Sequence, residues 1–284
     1  MIGVIDVGGG LRDIYGAGVF DRCLDDGILF DCCIGVSAGS ANVASYLGAQ
    51  HGRNRTFNTE YAFRKEYMGF EALLKTGSFI DLDYVYGTLS RAAGENPLAY
   101  HRIRNYPGIL NVIATEAETG LPRYFTKADM SQDNYLALSA SSSIPFVSKP
   151  VMINGVTYFD GGISDPVPIE RALALGCERI VLILTKPADL TLDGRAERRV
   201  ANACERRYPA VAAQLRKRAE KYNACVLRAF ELQALGKCLI VAPDDTCGVG
   251  TISRSKDSLE ALYQKGYKDG AAIKAYLQNE PVAQ

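Results

Sequence analysis

Short apolar runs of strand length alternate with amphipathic stretches of helix length along most of this chain. IGVID (2–6) is continuous and β-branched, as a strand covered on both faces would be. AGVFDRCLDDG (17–27) sets Val19, Phe20, Cys23 and Leu24 on one face and ends at Gly27, which predicts a helix. FDCCIGV (30–36) predicts a second strand and SANVASYLGAQ (40–50) a second helix. Residues 55–105 read as mostly helical and rich in aromatics. ILNVIATEA (109–117) and RYFTK (123–127) are strand-like, and NYLALSASS (134–142) is helix-like and stops before Pro145. VMING and VTYFDGG (151–162) predict a hairpin around Asn154-Gly155. A helix over about 168–175 precedes the strand ERIVLILT, and CLIVAP (238–243) returns to strand character. Between them Tyr208, Val211, Leu215, Tyr222 and Val226 recur at helical spacings, so 190–237 predicts helices, as does 256–277.

Alternation of this kind predicts an α/β fold, a three-layer α/β/α arrangement with a mainly parallel central sheet and a helical C-terminal portion. With no internal repeat or clear linker, the expectation is one domain over 1–284, its core about 1–185 and a helix-rich extension about 186–284.

Composition narrows the class. Lys plus Arg (32) equals Asp plus Glu (32), so no global charge draws the molecule toward nucleic acid. Residues 195–237 hold eleven Lys or Arg against four acids, which suits either a solvated helix face or a surface for anionic headgroups. The longest apolar run, IVLIL (180–184), is far short of the roughly 20 residues a membrane span needs. No leader-like segment is visible, so the expectation is a cytoplasmic protein with at most peripheral membrane contact and an open oligomeric state. Eight cysteines without CxxC or zinc-ligand spacing read as reduced, mostly buried thiols, and neither metal nor cofactor is expected.

The candidate chemistry starts at Ser37. GVSAG fits G-x-S-x-G and sits between a predicted strand and a predicted helix. A sharp strand-to-helix turn would lift the hydroxyl off the sheet, with Gly35 and Gly39 leaving room for the two backbones. The competing reading is a helix N-cap serine, a duty Ser40 also suits. A nucleophilic serine needs a base. Only His51 and His101 exist, and neither stands where the order Ser, acid, His would put one, so the base would have to be a carboxylate. Asp160 ends the strand VTYF and opens the glycine pair DGG (160–162), either as such a base or as a turn aspartate. A third cluster, VGGGLRDIYGAG (7–18), follows a strand but fails both the dinucleotide and P-loop patterns. What remains is a run of unhindered N–H groups at a helix start, suited to an anion or an oxyanion, with Arg12 adding positive charge or contacting a lipid phosphate.

Together these pieces resemble the patatin-like phospholipases, lipid acyl hydrolases, in their bacterial form. The family pattern is a glycine-rich loop with Arg or Lys, then G-x-S-x-G, then D-G-G or D-G-A. Here those are Gly8, Gly9, Gly10 and Arg12; Gly35-Val36-Ser37-Ala38-Gly39; and Asp160-Gly161-Gly162. SASSSIPFVSKPV (139–151) looks like the family's Ser/Ala-rich segment, and the resemblance covers about 1–185. It implies a Ser37–Asp160 dyad, an oxyanion hole from Gly8 to Gly10 with Arg12, an acyl-serine intermediate, and a lipid or acyl-ester substrate. Alternatives with the same dyad are a general carboxylesterase or an acyltransferase. One departure stands out, Asp13 where the family has glycine. Its charge would oppose an oxyanion or offset Arg12, which motivates a third alternative, a catalytically weak lipid-binding protein; or Asp13 points away and caps the following helix. Phe63, Tyr67, Phe70, Phe79, Tyr84 and Tyr86 are either a lid over the acyl site or plain core.

Overall fold

The computed structural model describes residues 1–252 and 255–278; the remainder of the expected C-terminal extension, 253–254 and 279–284, lies outside the described residues. Its strands are β1 (Ile2–Asp6), β2 (Cys32–Val36), β3 (Ile109–Glu116), β4 (Pro122–Phe125), β5 (Val151–Ile153), β6 (Val156–Asp160), β7 (Arg179–Ile183) and β8 (Cys238–Val241). The helices are α1 (Ile14–Asp25), α2 (Ala38–Leu47), α3 (Arg53–Thr59), α4 (Phe70–Thr76), α5 (Tyr100–Asn105), α6 (Leu136–Ser141), α7 (Ile169–Ala174), α8 (Arg195–Cys204), α9 (Pro209–Ala234), α10 (Lys256–Asp269) and α11 (Ala271–Gln278).

One sheet carries all eight strands. β3, β2, β1, β7 and β8 run parallel, while β4 and β6 pair antiparallel with β3 and β5 pairs antiparallel with β6. The expected mainly parallel sheet is thus a mixed one, a parallel core with an antiparallel flank where Asn154 and Gly155, both at positive φ, turn the β5–β6 hairpin. Alternate residues of each central strand feed two cores. Val4, Cys33, Val181 and Ile183 join α1, α2 and α10 residues on one face. Ile5, Cys32, Ile34, Ile180 and Leu182 join α7 and α9 residues on the other. Continuous apolar runs such as IVLIL follow from this, since a strand covered on both faces has no side to leave polar.

The aromatic stretch 55–105 forms short helical pieces rather than long helices, among them a π-helical turn over Asp83–Leu89. Gly69 and Gly77 bound α4, and Gly94 and Pro97 precede α5, so glycine and proline set where the pieces end. The C-terminal part does not stand apart. β8 extends the sheet beside β7, and α10 crosses α1 closely enough that a Cβ on Gly266 would lie 2.0 Å from the Tyr15 carbonyl oxygen. The cysteines are all free among the described residues.

Candidate active site

The register of β3 explains how residues far apart in the chain meet. Val36, the last residue of β2, pairs with Ile113, and Asp160, the last of β6, pairs with Ala114. β4 pairs with β3 across both of these positions, so it occupies the opposite edge. β2 and β6 therefore lie end to end on one edge of β3, running toward each other, and the residues at their tips face one another. There the Ser37 hydroxyl donates to Asp160 Oδ2 at 2.5 Å.

Ser37 occupies the position before α2 with φ 57° and ψ −134°, a region L-residues rarely adopt. It caps nothing with its side chain; Ser40 Oγ instead donates back to the Ser37 carbonyl at 2.7 Å. The flanking glycines are required by contact. A Cβ on Gly35 would lie 2.5 Å from Ser40 Cα, and one on Gly39 would lie 2.5 Å from the Asp6 carbonyl oxygen. Both obstacles are backbone and cannot swing aside. The Ser37 amide donates to Ser141 Oγ at 2.9 Å, which ties the elbow to the Ser-rich segment.

Asp160 serves its turn and Ser37 at once. Its Oδ1 accepts from the Gly162 amide at 2.7 Å, its own amide donates to the Ser143 carbonyl, and its carbonyl accepts from Thr115 Oγ1. The carboxyl is buried, and that desolvation raises its pKa against the lowering effects of Ser37, the Gly162 amide and Arg218. A carboxylate raised in this way is a stronger base than a solvated one.

Gly8, Gly9 and Gly10 all have positive φ, and a Cβ on Gly8 would lie 3.0 Å from Ser37 Cβ, so the glycine loop packs directly against the serine. The Gly8 amide is already committed, donating to Asp6 Oδ1 at 3.0 Å. Those of Gly9, Gly10 and Ala38 donate to no other group among the described residues. Arg12 Nη1 donates to Thr251 Oγ1 at 3.0 Å.

Asp13 does not point away to cap α1. It stands in the N-cap position, but its side chain makes no cap bond and is 2% exposed. As a carboxylate it would leave both oxygens without a partner among the described residues. It faces Asp6 instead, and both carboxyls crowd the site where a Gly16 Cβ would be. Burial pushes both pKa values up, that of Asp13 furthest because the Asp6 charge adds to its desolvation. Asp6 in turn holds the Gly8 amide and accepts from Asn42 Nδ2 at 3.0 Å. Asp13 thus stands behind the glycine loop, against the Asp6 carboxyl that holds the Gly8 amide.

The stability consequence has a definite sign. In the unfolded chain Asp13 loses its proton near pH 4, while the folded protein retains it to higher pH, so stability falls as pH rises between the two values. Asp13→Asn, neutral throughout, is expected to gain over the wild type by about 1.4 kcal/mol per unit of that displacement. Thermal melts from pH 4 to 8 should show the Tm difference widening with pH; a pH-independent difference would contradict the raised Asp13 pKa.

Ser37 sits where two cavities join. One, of about 90 Å³, is lined by Phe57, Tyr67, Met68, Leu82, Val85 and Tyr86, with Asp13, Asn42, Arg53 and Asn54 also on its wall. The other, of about 370 Å³, holds Asp160, the glycine loop, Arg12, Lys186, Glu197 and Arg218. Of the six aromatics considered as a lid, only Tyr67 and Tyr86 reach the first cavity; Phe63 and Phe70 are exposed, and Phe79 and Tyr84 pack on the core. Neither histidine lines either cavity, and His51 pairs with Asp25 at the surface. Asp6, Ser141, Ser143, Lys186 and Arg218 escaped the sequence reading. Only the Ser-rich run and the strand end before Lys186 carried any local signal for them.

Residues 7–173 match the family described as patatin-like phospholipase, and residues 208–279 match a domain of unknown function, DUF6363. The chain is 30% identical over 195 residues to the Escherichia coli (strain K12) protein YjjU, itself described as uncharacterized, covering 66% of this chain and 53% of that protein. Among solved structures it is similar to VipD from Legionella pneumophila, with a TM-score of 0.48 and 13% identity over 95% of this chain and 66% of that one. It thus spans about half the length of the first relative and two thirds of the second.

Proposed function

Because the chain belongs to the patatin-like phospholipase family, we propose that it is a serine lipid acyl hydrolase that works through a Ser37–Asp160 dyad. The observation that carries this reading is the 2.5 Å hydrogen bond from the Ser37 hydroxyl to a buried carboxylate at a strained elbow. Asp160 takes the hydroxyl proton as Ser37 Oγ attacks the ester carbonyl. The tetrahedral oxyanion is held by the Gly9 and Gly10 amides and the N-terminus of α2, while Gly8 keeps the loop in place through Asp6. Asp160 then passes the proton to the departing alcohol, which leaves an acyl-serine. Water enters, gives its proton to Asp160 and attacks the acyl carbon, and the proton returns to Ser37 as the acid departs.

The upward shift of the Asp13 pKa favours its uncharged form, which supports this reading over a catalytically weak lipid binder. The whole of 1–284 is read as one unit, because β8 and α10 complete the sheet and cover α1. Peripheral contact with a lipid surface belongs to the same reading. Phe70 and Leu74 on α4 are 77% and 87% exposed, and Phe146, next to cleft residue Pro145, is 65% exposed. Phe70 meets Phe79 edge to face, and the Phe79 amide donates to the Val147 carbonyl, so these groups share one rim. Among the described residues no helix is long and apolar enough to cross a membrane.

A fluorophosphonate probe tests the nucleophile. Stoichiometric labelling mapped to Ser37, with turnover of a phospholipid and neutral-ester panel, is the expected result; an unlabelled Ser37 would sink the reading. Adding a competing alcohol acceptor separates hydrolysis from acyl transfer.

A further inference from the structure

Three basic side chains from distant parts of the chain converge on the larger cavity. Arg12 comes from the loop after β1, Lys186 from just past β7, and Arg218 from α9. The first two stand beyond the carboxyl ends of parallel strands, where α/β sheets gather ligands. Arg12 Nη2 lies 3.5 Å from where a Gly9 Cβ would be, and Arg218 Nη2 lies 3.7 Å from the corresponding point on Gly162. The two guanidinium groups therefore flank the oxyanion loop and the Asp160 turn. Arg218 is held there by bonds to the Gly162 carbonyl (2.7 Å) and Glu197 (2.9 Å). Lys186 makes no hydrogen bond or ion pair among the described residues, and Arg12 Nε is buried without a partner.

Glu197 and Asp160 are the acids on this wall, and both are already engaged, with Arg218 and with Ser37. Arg218 thus has Glu197 as its counter-ion, while Arg12 and Lys186 are crowded beside it with no ion pair of their own among the described residues. Burial and then Arg12 and Arg218 depress the Lys186 ammonium to about 8, and burial and then Arg218 lower Arg12. Like charges brought together at a cost, around a cavity of about 370 Å³ that opens on Ser37, describe a site built for an anion.

We infer that this cleft is a phosphate subsite for the alcohol half of the ester, with Lys186 as its free ammonium and Arg12 and Arg218 as its walls. The inference rests on the acyl-hydrolase reading for the identity of the ester, and on the cleft alone for the phosphate. The apolar cavity on the other side of Ser37 takes the acyl half, so the leaving half falls among the cations. A glycerophosphate headgroup without a trailing cation fits three positive groups better than a phosphocholine. A neutral glyceride gains nothing from them.

The test compares a 1-acyl-glycerol 3-phosphate with a neutral p-nitrophenyl ester of the same chain length. The quantity followed is the ratio of their kcat/KM values in the wild type, Lys186→Met and Lys186→Arg. Lys186 is chosen because it holds no other group in place, whereas Arg218 supports the Asp160 turn. The ratio is expected to fall at least tenfold in Lys186→Met and to be largely retained in Lys186→Arg, which keeps the charge. A ratio unmoved by Lys186→Met would overturn the proposal. A second arm needs no catalysis: calorimetric titration of Ser37→Ala, with and without Lys186→Met, using glycerol 3-phosphate and inorganic phosphate. Glycerol 3-phosphate is expected to bind and to lose at least tenfold in affinity with Lys186→Met. If neither anion binds, the subsite falls even where esters are hydrolysed; if glycerol 3-phosphate binds and no ester is hydrolysed, the subsite stands and the hydrolase reading falls. Inorganic phosphate binding as tightly as glycerol 3-phosphate would overturn the headgroup assignment.

Discussion

Replacing Ser37 by alanine is expected to cut ester turnover by about 10⁴-fold or more while Tm moves by only a few degrees. The size of the loss follows from the mechanism, because without the hydroxyl no acyl-enzyme forms and only the binding groups and oxyanion donors remain. The small stability effect follows from the site. The positive φ of Ser37 burdens alanine as much as serine, and the backbone bonds of the elbow, Ser37 N–H to Ser141 and Ser40 to the Ser37 carbonyl, do not involve the hydroxyl. What is lost is one hydrogen bond to Asp160, whose carboxyl then shifts further up in pKa. Initial rates on a lipid ester, with a melting curve for each protein, check both halves. Turnover within tenfold of the wild type would remove Ser37 from the chemistry.

Asp160→Asn is expected to lower kcat/KM by about 10³-fold, since the amide keeps the shape but takes no proton. It keeps an oxygen for the Gly162 amide, so the turn survives. The pH profile carries a second signature. Asp160 acts only when ionised, and burial places its pKa above the usual carboxylate value. Wild-type kcat/KM should therefore fall as pH drops through that raised value, and the residual activity of Asp160→Asn should lack this acid limb. His51→Ala and His101→Ala should leave both rate and profile unchanged, because neither ring lines the cavities that meet at Ser37. A well-folded histidine variant that loses activity would overturn the carboxylate base.

Much of the fold was legible because its signals are local. Continuous β-branched runs marked β1, β2, β3 and β7, and Asn154-Gly155 marked the hairpin. GVSAG was readable for the same reason, as two glycines within two residues of a serine between strand and helix record a contact made within one turn. The segment 55–105 was legible as mostly helical, but its division into short pieces follows the glycine and proline breaks within it.

The Asp13 side chain shows where local reading stops. From its neighbours in sequence it was a helix cap or a misplaced charge. In the folded chain its pKa is pushed up, because burial strips it of water and Asp6 from β1 places a charge beside it. A proton's location depends on dielectric and on neighbouring charge, and neither is set before the chain has packed.

By itself the sequence determined the layered α/β class, the candidate elbow around Ser37 and the lack of a suitably placed histidine, all written in residues close together or in plain counts. Only the tertiary structure decided that β2 and β6 meet tip to tip along β3, that Asp13 is buried against Asp6, and that Arg12, Lys186 and Arg218 share one cleft. Strand register and the crossings of helices over the sheet bring those groups together, and such long-range geometry leaves no trace in the spacing of residues along the chain.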